Sequence, residues 1–228
     1  MRKLLLLMLS VMVVGSVWAQ SANTSVSGTV PVQGGQMKVD EAAATDLLIT
    51  SDEDWQTFTA NANQYASSNV KLDADIQVTT MFAATFTGTF DGQGHTIMYA
   101  EGFKPTADFA LFQAAGEGAS FRNFEVKGTL NMLHKFAGVA LEVNGPTTIE
   151  NVKVSANVTS SGFPLSGFVV SNTSQLDVTG CEFSGSLKCT QGASADIAGF
   201  ISVMNGASAF TFRNCASPGK LELTNGSS

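Results

Sequence analysis

Apolar and polar positions in the second half of the chain repeat in one order. Four ten-residue blocks align without gaps: FRNFEVKGTL (121–130), IENVKVSANV (149–158), VTGCEFSGSL (178–187) and FRNCASPGKL (212–221). Their spacings are 28, 29 and 34 residues. The first column, Phe121, Ile149, Val178 and Phe212, is always apolar, and so is the tenth, Leu130, Val158, Leu187 and Leu221. The sixth holds Val126, Val154, Phe183 and Ser217. These positions predict an inward face with the period of a strand. The third column is Asn123, Asn151, Gly180 and Asn214, the residue types that tolerate a left-handed backbone, so it predicts a chain corner. The eighth, Gly128, Ala156, Gly185 and Gly219, leaves no room for a large side chain.

Two outward columns alternate in charge where neighbouring members are both charged. One reads Arg122, Glu150, Thr179, Arg213, the other Glu125, Lys153, Glu182, Ala216. Stacked as parallel strands, such neighbours lie about 4.8 Å apart, where opposite charges are favourable. A second motif recurs between the blocks, in FAGVALEVNG (136–145), LSGFVVSNTS (165–174) and IAGFISVMNG (197–206), with Gly138, Gly167 and Gly199 each before an apolar run. Each repeat therefore holds at least two strands joined at glycine or asparagine corners. Stacked turns of this kind describe an all-β solenoid, a parallel β-helix over about 70–228, in which each coil buries its face on the next. The absence of crossover helices excludes a doubly wound α/β fold. A β-sandwich stays open but does not explain an in-register repeat.

The period changes upstream. In TSDEDWQTFTANANQY, Trp55, Phe58, Ala62 and Tyr65 recur at helical spacing. Ser51 and Asp54 form an acidic variant of the capping box. The pattern predicts a helix over 52 to 66 within an N-terminal cap (48–69), with strand-like DLLIT before it and VKLDADIQVTT after it. Residues 20–47, rich in Ser, Thr, Gly and Ala, read as a flexible lead-in. The first 19 residues have a basic start (Arg2, Lys3), an apolar run (Leu4 to Val14) and a small-residue cleavage site ending at Ala19, which is the pattern of a secretory signal peptide. The apolar run falls short of the ~20 residues of a membrane span. Cleavage would leave 10 of the 12 basic residues against 19 acidic ones, a net charge of −9. Such a surface repels phosphate backbones, which argues against nucleic acid as a partner, and for the same reason disfavours acidic polysaccharides such as pectate unless a cation bridges.

DEDWQTF, LDADIQVTT, FTGTFDGQGHTI and ALFQAAGEGASFRNFEVKG, with the glycine-apolar rhythm that follows them, resemble right-handed parallel β-helix proteins of the pectin-lyase-like class. They are most similar to GLUG-motif repeats of Bacteroidota surface proteins. The likeness runs from about Leu48 to the C-terminus. It departs from the Gly-Leu-apolar-Gly motif in that Leu141, Val170 and Ser202 stand where the second glycine would be. The resemblance implies a right-handed coil, a helix covering its open end through Trp55, Phe58 and Tyr65, and a bacterial surface setting.

Candidate chemistry is sparse. FDGQGHTI (90–97) has an acid, two glycines and a histidine, but Thr96 to Tyr99 continue as a strand, which excludes a nucleotide-binding glycine loop. A structural corner is the favoured reading, with Gly92 at the position Asn123 fills one coil later and Asp91 bonding local N–H groups. A weak cation or sugar contact is the alternative. His134 and Lys135 sit in a loop, where a sugar or partner contact competes with plain exposure. Asp73 and Asp75, two apart, are expected on one strand face, and Asp75 and Arg122 are the residues an enzyme reading would test. Cys181 and Cys215 fall in one column, read as small core residues in preference to a disulfide. Cys189 reads as an unpaired loop residue. No residue is assigned a catalytic, cofactor-binding or metal-binding role. The expected function is a secreted or outer-surface, non-catalytic module for adhesion or contact with a glycan or a host surface protein. The alternative is a polysaccharide lyase or glycoside hydrolase of the pectin-lyase-like fold. The last block runs into the terminal LELTNGSS (221–228) with no evident cap, so its open edge invites self-association, or the chain is a fragment of a longer protein.

Overall fold

A computed structural model describes residues 38–39, 46–191, 195–206 and 209–224. The expected signal peptide (1–19) and most of the expected lead-in (20–47) lie outside the described residues. From Asp46 onward the chain cycles among four sheets. The first holds, in stacking order, Asp46–Ile49, Asn69–Leu72, Thr89–Asp91, Ala119–Lys127, Thr147–Val154, Gln175–Thr179 and Ala209–Arg213. From there the chain passes to a fourth sheet (Thr129–Met132, Asn157–Ser160, Ser186–Cys189, Lys220–Leu223). Next comes a short third sheet (Phe136–Ala137, Leu165–Ser166, Ile197–Ala198), and then a second (Phe112–Ala115, Ala140–Val143, Val169–Asn172, Ile201–Met204, with Phe82–Phe86 beneath). All of these pairs are parallel. Lys38–Val39 is the exception, lying antiparallel on Leu47 and Leu48. The chain is a parallel β-helix, and the sandwich alternative is ruled out.

The predicted register holds at each block. Ile149 pairs with Phe121 and Val178, and Val178 pairs with Phe212. Val158 pairs with Leu130 and Leu187, and Leu187 with Leu221. The first three members of each column are buried, whereas Phe212 is 39% and Leu221 45% exposed because they belong to the last described coil. Asn123, Asn151 and Asn214 have φ of 58°, 52° and 53°, and Gly180 in the same column has 65°. The asparagine side chains link coils: Asn151 Nδ2 donates to Asn123 Oδ1 at 3.3 Å. At Asn123 and Asn151 the left-handed residue bends the strand without ending it, so Ala119–Lys127 and Thr147–Val154 each serve two faces, whereas at Gly180 the strand divides into Gln175–Thr179 and Glu182–Phe183.

The charge alternation is only partly used. Lys153 pairs with Glu182 at 3.2 Å. Arg122 instead turns back to Asp91, 2.9 Å away and directly opposite it one coil earlier. Glu125 pairs with Lys127 on its own strand at 2.8 Å. Arg122 and Asp91 share a ladder position, and the half-buried Asp91 draws the guanidinium more strongly than an exposed Glu150 does.

The helix runs Asp52–Ala60, shorter than the periodicity predicts. Asn61 ends it: its N–H and its Nδ2 both donate to the Thr57 carbonyl, at 3.2 and 2.8 Å, so the side chain reinforces the last backbone bond of the helix. At the other end Ser51 Oγ accepts from the Asp54 N–H. The Asp54 carboxylate reaches past Ser51 and accepts from the Thr50 N–H and hydroxyl, at 2.9 and 2.8 Å. Trp55 and Phe58 are fully buried. Phe58 stacks on Phe82 with ring centres 4.6 Å apart, and Trp55 meets Phe90 and Phe112 edge-on. The helix thus closes the N-terminal end of the coil over an aromatic core.

Candidate binding surface

FDGQGHTI is a corner, built differently from the one expected. Asp91 is level with Arg122, and Thr96 with Glu125. Five steps of chain there match three in the next coil, a two-residue insertion. The extra residues make a tight turn: His95 N–H donates to the Gly92 carbonyl at 2.8 Å, with Gln93 and Gly94 at φ of 50° and 87°. Two positive φ values in succession are those of a type I′ turn. The left-handed residues are therefore Gln93 and Gly94, not Gly92. Gly92 serves a different need, since a Cβ there would lie 2.3 Å from that of Phe124.

Asp91 anchors this corner. Its carboxylate accepts from Gln93 N–H (3.0 Å), Asn123 Nδ2 (3.0 Å) and Arg122 Nε (2.9 Å). Burial pushes its pKa up, but the bonds from Asn123, Gln93 and Arg122 outweigh that and hold it below the ordinary carboxylate range. Each donor is internal, so the acid is spent on the fold. Lys71, Asp91, Gln93, Gly94 and Asn123 surround only an open hollow.

Asp73 and Asp75 do not share a strand face. Both lie in the bend between Asn69–Leu72 and Ile76–Val78. Asp75 accepts from Thr96 N–H at 2.8 Å and meets His95 Nδ1 at 3.3 Å, with its side chain 69% exposed. The Thr96 bond chiefly lowers its pKa. Arg122, the other residue of an enzyme reading, is bound to Asp91 on the far side of the corner. Among the described residues no group of three or more His, Cys, Asp or Glu is placed to hold a metal ion.

Cys181, Cys189 and Cys215 are free thiols. Cys189 is not in a loop: it ends the strand Ser186–Cys189 and is buried. Burial pushes the Cys181 thiol up to about 11, so it stays protonated at neutral pH.

The best-formed concavity lies elsewhere, at the ends of the fourth sheet. Three chain segments leave that sheet on successive coils and form its floor: 131–134, 159–161 and Thr190. The loop at 104–106 forms a wall. The cleft encloses about 540 Å³, within the ~300–1,000 Å³ of small-molecule sites. Its lining is hydroxyl and amide groups (Thr106, Asn131, Thr159, Ser161) around Pro105, Met132 and Leu133. Leu133 is 71% exposed. Lys104 and His134 are its ionisable residues.

The loops are held by the ladder continuing past the strand ends. Ser161 N–H donates to the Met132 carbonyl (3.3 Å) and Thr190 N–H to that of Ser160 (2.8 Å). Ser160 Oγ donates to the His134 carbonyl at 2.8 Å and accepts from Gly162 N–H. Lys135, beside the cleft, is tied to Asp108 through its N–H (3.1 Å) and Nζ (3.6 Å). Of the loop pair His134 and Lys135, only His134 lines the cleft.

Sequence reasoning singled out His134 but missed Lys104, Thr106, Thr159 and Ser161. For Ser161 the signal is loop length, whereas Lys104 and Thr106 lie outside the repeated blocks, where no period marks them. The chain takes 8 steps from Leu130 to Gly138, 9 from Val158 to Gly167 and 12 from Leu187 to Gly199. Repeat length therefore varies between the fourth and third sheets, and variable loops on a rigid coil are where binding groups collect.

Comparison with protein families, with curated proteins and with solved structures finds no match. The β-helix rests on the chain's own strand pairing.

Proposed function

We propose that this chain is an exported, outer-surface β-helix module that contacts glycans through the cleft at the ends of the fourth sheet and does not turn them over. The lining of that cleft carries the reading. Hydroxyls and an amide suit sugar hydroxyls, Pro105, Met132 and Leu133 suit the apolar faces of sugar rings, and no lining residue is a carboxylate. The signal-peptide pattern supports export, and the GLUG-like glycine rhythm supports a surface setting. The test is a glycan array probed with the secreted chain, with release of reducing ends or unsaturated products followed on the same panel, with and without calcium. Binding without turnover is the expected result. Turnover overturns the non-catalytic reading, and silence across the array overturns the glycan reading.

A second observation favours self-association. Met204, Phe210, Phe212, Leu221 and Leu223 of the last described coil are exposed although they continue buried columns. We propose that a second copy covers them. In an antiparallel pairing centred on Leu221, Lys220 faces Glu222 of the second copy and the reverse, so the edge is complementary to itself. The other end carries the helix, whose Trp55 and Phe58 cover the aromatic core there, so the last described coil is the apolar end left for a second copy. Sedimentation velocity should show a dimer that Leu221→Lys with Leu223→Lys converts to monomer; a monomeric parent chain sinks the proposal.

A further inference from the structure

The ionic pairing of the whole surface says what kind of glycan the cleft takes. Acidic residues outnumber basic ones, and almost every described cation is held by a carboxylate. Lys71 pairs with Asp46, Arg122 with Asp91, Lys127 with Glu125, Lys135 with Asp108, Lys153 with Glu182, and Lys188 and Lys220 with Glu222. Among the described residues with described side chains, Lys104 and Arg213 are the cations without such a partner. Arg213 lies on the last described coil and does not line this cleft. Lys104 stands on the wall of the cleft, which it shares with His134 and with no acid. On a surface with acids to spare, a concave site with an unpaired ammonium, an imidazole and no carboxylate is matched to an anion.

We infer that the cleft selects a sugar bearing a single acidic group, a carboxylate or a sulfate ester, with Lys104 as its counter-charge and the hydroxyls of Thr106, Thr159 and Ser161 taking the neutral hydroxyls. This rests on the glycan reading of the same cleft. One acidic group is the fitting number. A long polyanion would carry its other charges over the acidic surface outside the cleft, where each is repelled.

The experiment titrates the intact chain with three β-linked disaccharides: one ending in glucose, one in glucuronate and one in 6-sulfated glucose. Both acidic sugars are expected to bind about tenfold more tightly than the neutral one, the worth of one charge-assisted hydrogen bond, with the preference shrinking as salt rises. Preference for one acidic sugar alone identifies the source of the charge and still supports the inference. Lys104→Ala should abolish the preference, Lys104→Arg should keep it, and Arg213→Ala, which removes the other unpaired cation, should leave it unchanged. Lys104 is exposed on a loop, so its replacement does not threaten the fold. Equal binding of all three sugars, or a preference that survives Lys104→Ala, overturns the inference while leaving the glycan reading intact. Failure to bind any of the three, with neutral glycans bound on the array, overturns it too. No glycan binding anywhere removes the reading beneath it.

Discussion

Trp55→Ala is expected to destabilise the chain by about 3–5 kcal/mol, the cost of truncating a large buried aromatic side chain. Trp55 has no exposed surface and touches three other rings, with centres 5.7 Å from Phe58, 6.1 Å from Phe90 and 6.2 Å from Phe112. Its Nε1 donates to the Thr80 carbonyl at 3.0 Å, so truncation also leaves a main-chain acceptor without its donor. The loss falls where the solenoid is weakest. An interior coil has a neighbour on each side, whereas the first aromatic layer has only the helix above it. Trp55→Phe should cost clearly less, since a six-membered ring stays and only the hydrogen bond and part of the indole's volume go. Urea melts of the two variants read this directly. A loss below about 1 kcal/mol for the alanine variant would show that the helix is not part of the folded core.

Gly167→Val should be at least as damaging, for an unrelated reason. Gly138, Gly167 and Gly199 stack on successive coils, with Gly138 N–H donating to the Gly167 carbonyl at 3.1 Å. A Cβ on Gly167 would lie 2.1 Å from the Gly199 carbonyl oxygen and 2.6 Å from the Phe183 ring. A flexible side chain could move aside, but a main-chain carbonyl cannot move without taking its coil with it. Overpacking ordinarily costs about 1–3 kcal/mol and more where backbone must shift, so a loss above about 3 kcal/mol is expected. Gly94→Ala is the control: nothing lies within 4 Å of its Cβ position, and only the positive φ of 87° resists. That change should cost about 1 kcal/mol. If thermal melts rank the two variants equally, close approach is not what keeps glycine in the column.

The repeat was legible because a solenoid writes its contacts into the sequence at a fixed period. A residue that stacks on its equivalent one coil away must share its size and polarity, so Phe121, Ile149 and Val178 betray their pairing without any structure. The left-handed corners at Asn123, Asn151, Gly180 and Asn214 were readable for a similar reason, since few residue types accept that backbone. Charge was a weaker guide. Alternating signs suggested Arg122 with Glu150, but the exposed ends of long side chains choose among several neighbours at little cost, and Asp91, level with Arg122 and better buried, prevailed. The two-residue insertion at FDGQGHTI was invisible for want of a period in that stretch, so the left-handed residue was placed at Gly92 when it falls at Gln93 and Gly94. The cleft was the least legible part. Its floor begins on aligned strand ends, Asn131 level with Thr159 and Met132 with Ser160, but its wall at 104–106 is a loop outside the repeated blocks. Periodicity records what stacks; what projects beyond the stack at Lys104, Thr106 and Ser161 is set by where loops of different length come to rest, and only the tertiary structure decides that.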